Sequence, residues 1–251
     1  MEKANPGMCL SAGARFATYL GSIGATHESV DAFIKNGNHP LYITLAEHFA
    51  PKPEVLFKSS DTNLEEMIKA AEKFAMERFG VTIDLRKRFV IPESLPWKEV
   101  LLVFDPGSLT NRNAVDVLKN SKLNVYEETD VINYSGSEAF TVPTLQIISL
   151  SDTPDKDTMN LSPNDLRKTD KSYLRLRGYA LAFALHHSMT GKYLDPKETF
   201  TWFPEDSLSD GGVADGHWDP HDCRVRFCWS YADYRGSDGG ARAAILVSLR
   251  S

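Results

Sequence analysis

Arg224-Val225-Arg226-Phe227-Cys228-Trp229-Ser230 alternates polar and apolar side chains at every step. A β-strand sends successive side chains to opposite faces. This period of two therefore predicts a half-buried strand, with Val225, Phe227 and Trp229 on a core and Arg224, Arg226, Cys228 and Ser230 outward. Such a strand needs a sheet, and its flanks supply one. Residues 199–203 are aromatic and strand-like, and residues 243–249 form an apolar run that pins the C-terminal end into a sheet. Asp210-Gly211-Gly212 and Asp215-Gly216 carry turn residues.

Further upstream the periods mix. Residues 61–79 place Leu64, Met67, Ile68, Ala71, Phe74, Ala75 and Phe79 on one helical stripe, with Asp61 or Thr62 as cap and Gly80 as stop. Residues 81–91 alternate through Val81, Ile83 and Leu85 like a strand, and Pro92 and Pro96 bracket a boundary. Residues 100–104 and 144–150 read as strands, Thr110 caps a helix reaching Leu118, and Ser135 to Ser137 mark a break. Ser162-Pro163-Asn164-Asp165 is a helix start, with Ser as cap, Pro at the first position and Asp closing a capping box. Helical spacing then runs through Leu166, Tyr173, Leu176, Ala180, Phe183 and Ala184 to Met189, broken near Asp170 and ended by Gly191. The whole is an α+β chain in two regions: residues 1–92, helical with a strand, and residues 97–251.

Composition narrows the function classes. Hydrophobic residues at 42% and charged residues at 25% are ordinary globular usage, which argues against disordered, fibrous or membrane classes. A net charge of -6 leaves no basic stripe, so nucleic acid is not an expected partner. Arg15 interrupts the mildly apolar residues 8–25, and no window is long enough for a membrane span, so cytoplasmic synthesis without a signal peptide is expected, with surface display by another route left open. Cys9, Cys223 and Cys228 cannot all pair with one another, which fits a reducing compartment.

The tail carries the functional signal. From Asp206 onward there is no Lys, Glu, Gln or Met, yet Asp recurs at 206, 210, 215, 219, 222, 233 and 238. Tight turns favour Asp, Gly and Ser over long charged chains, which explains part of the bias. What remains is rich in Tyr, Trp, Ser, Asp, His, Gly and Arg, the composition of a paratope, where aromatic rings give contact area and short polar chains adapt their hydrogen bonds. The residues expected to form a ligand-binding surface are Asp215, His217, Asp219, His221, Asp222, Arg224, Arg226, Cys228, Ser230, Tyr231, Asp233, Tyr234, Arg235, Ser237 and Asp238, within a variable region at about 207–242.

Trp218, the run from Arg224 to Trp229, and Gly239-Gly240-Ala241-Arg242-Ala243-Ala244-Ile245 together resemble the C-terminal part of variable proteins from diversity-generating retroelements. The resemblance spans at most residues 97–251 and is carried by those after Trp202. It implies a C-type-lectin-like fold, two helices against twisted antiparallel strands, whose C-terminal strands and loops present diversified binding residues to a protein or other macromolecular target. Trp218, Val225, Phe227, Trp229 and Gly240-Ala241-Arg242 would be its framework. In that family diversity arises at template adenines, and an asparagine codon altered there can yield Asp, His, Tyr, Ser, Cys, Arg, Gly, Ala or Phe but never Lys, Glu, Gln or Met. The tail obeys this restriction, although it holds no Asn or Thr after Thr201.

Enzymatic readings compete. His217, His221 and Cys223, with Cys228 or the pair His186-His187, could ligate zinc in a metal-dependent hydrolase. No Cys-x-x-Cys or His-Glu-x-x-His occurs, and the residues sit on a turn containing Pro220. Cys9 could be a nucleophile, but a cysteine in an apolar stretch is more often a small core residue. Phosphate loops, dinucleotide-binding glycine patterns and nucleophile elbows are missing, so the expectation is a binding protein without cofactor rather than an enzyme.

Overall fold

The computed structural model describes residues 56–128, 131–132, 142–196 and 198–250, which belong to one compact unit, Val55–Ser251. The readings of Cys9, of residues 8–25 and of the break at 135–137 lie outside the described residues. The elements run β1 (Phe57–Lys58), α1 (Leu64–Phe79), α2 (Leu85–Arg88), β2 (Ser94–Leu95), β3 (Val100–Asp105), α3 (Asn111–Asn120), β4 (Val125–Glu127), β5 (Thr144–Ser149), α4 (Pro163–Leu166), α5 (Leu176–Thr190), β6 (Phe200–Ser207), β7 (Gly212–Asp219), β8 (Arg224–Tyr231), β9 (Gly239–Gly240) and β10 (Ala244–Val247). The fold is mixed α+β. Beside the β1-β2 pair stand a three-stranded antiparallel sheet, β10-β5-β3, and a five-stranded sheet, β4-β8-β7-β6-β9. In the larger sheet β4 pairs with β8, and β9 with β6, in parallel.

Helix α5 joins the two larger sheets, contacting β3 of one and β7 of the other. All its residues from Leu176 to His186 are buried. A helix enclosed on every side has no polar face, which is why its sequence reads as nearly continuous apolar and small residues. No local side chain caps its first turn. Asp206 on β6 does so instead: its Oδ2 accepts the Leu176 N–H at 2.6 Å, and its Oδ1 accepts from Arg175 Nη2 at 2.6 Å. Burial pushes this carboxyl up, against the pull of Arg175.

The expected stripe of α1 is buried from Leu64 to Ala75, and Phe79 packs against the same core. Asn63 precedes the helix without capping it. Its side-chain amide is bonded to both Val100 N–H and Val100 C=O instead, at 2.8 and 3.2 Å, which ties α1 to β3. The boundary expected between residues 92 and 97 consequently falls inside a shared core, because α1 and β3 bury their apolar faces against each other. Residues 81–91 form no strand. Asp84 accepts the Lys87 N–H and starts the single turn α2, and Phe89 makes one bridge to Leu249. Thr110 caps α3 in a capping box, and a second box at Ser162 and Asp165 opens α4, which stops after one turn. Asp215-Gly216 is no turn but the middle of β7: a Cβ on Gly216 would lie 2.9 Å from Phe203 Cζ and 3.0 Å from Tyr179 Cε1, so the glycine admits α5 against the sheet.

Candidate ligand-binding face

Strands β7 and β8 pair antiparallel with Val213 opposite Ser230, Asp215 opposite Cys228, His217 opposite Arg226 and Asp219 opposite Arg224. Directly opposed residues share a face of a sheet. These eight therefore look outward, while Ala214 with Trp229, Gly216 with Phe227 and Trp218 with Val225 turn toward α5. The expected inward row holds: Val225 and Phe227 are fully buried, and Trp229 packs half-buried on the core. Trp218 is 7% exposed and stacks on Tyr193 at 3.6 Å between ring centroids. On the outer side β4 brings Tyr126 beside Arg226, and the guanidinium carbons of Arg224 and Arg226 stand 4.6 and 4.9 Å from its ring centroid. Part of the sheet is covered by a second apolar cluster of Trp202, Val213, Leu166, Tyr173 and Ala241.

The predicted site residues separate into groups. His221 and Asp222 are exposed on the β7–β8 turn, and Arg224 pairs with Asp222. Asp233, Tyr234, Arg235, Ser237 and Asp238 are exposed on the loop between β8 and β9, with Tyr234 edge-on to Trp202 at 6.3 Å. Arg226, Cys228, His217 and Ser230 are half-exposed on the outer face. Asp219 holds the turn, its Oδ1 accepting from the N–H groups of His221 and Asp222 at 3.0 and 3.2 Å and its Oδ2 from Arg226 at 3.2 Å. Arg235 is tied to Asp165 at 2.8 Å.

Three assignments change: Asp219 is buried rather than exposed, because its carboxylate is turned in to hold the turn. Tyr231, 70% exposed, continues the row of Val225, Phe227 and Trp229, with its ring 5.8 Å from that of Trp229, so it leaves the sheet on the side opposite Arg224 and Ser230. Counting by twos from Val225 reaches it directly. Asp215 is buried rather than exposed, because it lies mid-strand instead of on a turn. Burial pushes its carboxyl up against the pull of His217, and burial together with the Asp215 charge pushes the Cys228 thiol up to about 11.

Beneath the face lies a polar centre of which the sequence indicated one member. Arg242, 1% exposed, donates through Nη2 to Asp195 Oδ1 at 2.5 Å, through Nη1 to Ser151 C=O at 2.9 Å and through Nε to Thr201 Oγ1 at 3.3 Å. Asp195 Oδ2 accepts from the Tyr179 hydroxyl at 2.9 Å and the Thr201 hydroxyl at 2.7 Å. Arg242 thus ties loops together. Gly239 and Gly240 permit the approach: a Cβ on Gly239 would lie 2.4 Å from Phe200 Cζ, and one on Gly240 2.8 Å from Met159 Sδ. Asp195 offered no pattern to find it by.

His217 and His221 line one cleft of about 280 Å³ with Glu198, Thr199, Phe200, Trp218, Asp219, Pro220 and Asp238. Cys223 does not join them; it is exposed on the turn, its S–H toward Pro220 C=O at 3.6 Å. Among the described residues no three His, Cys, Asp or Glu side chains converge as a metal-binding set. His186 is buried, whereas His187 stacks on Tyr193 at 5.0 Å. No described helix is long and apolar enough to cross a membrane. No protein-family model, curated protein or solved structure matches the chain.

Proposed function

We propose that this chain is a non-enzymatic ligand-binding protein of C-type-lectin-like build, whose outer sheet face and 232–238 loop form a diversifiable surface for a macromolecular, most directly a protein, target. The observation that carries the reading is a segregation within residues 212–242. Of the positions that match the family framework, Trp218, Val225, Phe227, Gly240, Ala241 and Arg242 are buried and Trp229 is half-buried, while most of the short polar and aromatic residues between them, Asp215 and Asp219 excepted, reach solvent. Rigid strands below and exchangeable side chains above are what a recognition scaffold needs. Two helices, α3 and α5, packed with antiparallel strands agree with the lectin-like expectation.

The test is a library randomised at His221, Asp222, Arg224, Ser230, Asp233, Tyr234, Ser237 and Asp238. Most members should express as folded protein with melting temperatures near the parent, since exposed substitutions stay within about 0.5 kcal/mol. Selection against an arbitrary protein such as lysozyme should yield binders. Widespread unfolding sinks the reading. A near-repeat of the coding segment for 207–242, differing at adenines and lying beside a reverse transcriptase gene, would support the family assignment. Stoichiometric zinc lost on His221→Ala would instead favour the metal-dependent hydrolase.

A further inference from the structure

Asp215 lies at the middle of the outer face, opposite Cys228 on one neighbouring strand and Trp202 on the other. Its side chain is 7% exposed, and the one donor of the described residues facing its oxygens is His217, whose Nδ1 stands 3.8 Å away, beyond ordinary hydrogen-bond reach, and has no other partner. Removing a carboxylate from water without supplying a donor costs stability, so a buried, unsatisfied carboxylate that still touches the surface is a place where an arriving donor gains most.

The charges around it favour a cation. Arg226 pairs with Asp219 and Arg224 with Asp222, and both lie against the Tyr126 ring, although each keeps a buried Nε without a hydrogen-bond partner. Glu128 acts on Asp215 as a like charge, and His217 and Arg226 act on it as opposite ones. The cleft walled by His217 adds Glu198 and Asp238 with Phe200, and among the described residues no Lys or Arg lines it. Carboxylates beside aromatic walls suit a guanidinium or ammonium group, through charge and through cation–π attraction. An anion would meet the wrong sign.

Building on the binding-face reading, we propose that this face anchors a cationic group, the guanidinium or ammonium of an arginine or lysine side chain, on Asp215 and the adjoining cleft. The test uses the full chain with labelled histidine imidazoles, titrated with N-acetylarginine amide and with the uncharged, equally shaped N-acetylcitrulline amide. Arginine should move the His217 resonances saturably, and citrulline should bind at least about tenfold more weakly. Asp215→Asn should weaken arginine binding by at least about tenfold. Asp238→Asn, on the exposed loop, should weaken it about two- to threefold and serves if the first variant does not fold. Tighter binding of an arginine-bearing peptide than of the amide assigns a protein source, and equal binding assigns a free cation. Equal shifts with citrulline, or full arginine binding by folded Asp215→Asn, overturn the proposal. If the randomised library unfolds, the binding-face reading itself fails; if it folds and arginine leaves His217 unmoved, this anchor alone fails.

Discussion

Replacing Arg242 tests the foundation of the candidate binding face. Its guanidinium serves three acceptors at once, Asp195, the Ser151 carbonyl and the Thr201 hydroxyl. Arg242→Ala strands the Asp195 carboxylate in the interior with two neutral hydroxyl donors, Tyr179 and Thr201. Breaking a buried ion pair in this way costs about 3–5 kcal/mol. For a unit of this size each kcal/mol moves the melting midpoint by about 2–4 °C, so a fall of about 6–20 °C is expected. Arg242→Lys keeps the charge but loses the planar fork that reaches several acceptors, and should cost about 2–4 kcal/mol. Asp195→Asn removes the charge from the other side, with a residue that tolerates the left-handed φ of 52° at this position. Urea unfolding of both single variants and the double variant gives the coupling. The double variant should lose clearly less than the sum of the singles. Additive losses, or an unmoved midpoint for Arg242→Lys, would refute the network as the tie between loops.

Trp218→Ala should cost about 3–5 kcal/mol in chemical unfolding, and Trp229→Ala distinctly less because that ring is half-exposed; equal losses would contradict the assigned faces. Asp219→Ala should cost about 1–3 kcal/mol through the three bonds it makes, whereas Ser237→Ala should stay within about 0.5 kcal/mol. With a pKa of about 11, the Cys228 thiol is roughly one part in a thousand thiolate at pH 8, so peptide mapping after brief iodoacetamide treatment should find exposed Cys223 labelled well ahead of it. Because burial raises the Asp215 carboxyl in the folded state, its stabilising contribution is present below the ordinary carboxylate range and is lost as pH rises through the raised value. Asp215→Asn removes that loss, so its melting temperature should match the parent at low pH and exceed it at pH 7; a constant difference would be the contrary result.

Local patterns in the sequence were sound wherever local physics decides. The α1 stripe, the Thr110 and Ser162 boxes and the two-residue period of β8 all depend on neighbours a few positions away. Where distant packing decides, the same signals misled. Asp215-Gly216 has the residues of a hairpin turn, but the glycine is there for Tyr179 and Phe203, and no window around it contains either. Val81, Ile83 and Leu85 alternate like a strand, yet the capping carboxylate of Asp84 converts the segment into a helical turn. Of the candidate binding face, Arg224, Arg226, Cys228 and Ser230 were legible from alternation. Tyr231 could have been placed by the same count, while Asp195 could not, since it meets Arg242 across a separation of 47 residues.

That separation bears on how the protein comes into being. Arg242 binds Ser151 C=O across 91 residues, and β10, just beyond it, must slot beside β5. Contacts so distant along the chain close late, after the entropy of long loops has been overcome. On the ribosome the Asp195 carboxylate stays without its cation until residue 242 has been made, so the two sheets complete their common interior after synthesis of residues 207–241 and not before. A shifted reading frame anywhere from 207 to 241 would deliver no arginine and no β10. Folding itself would then discard such products, because their shared interior could not close.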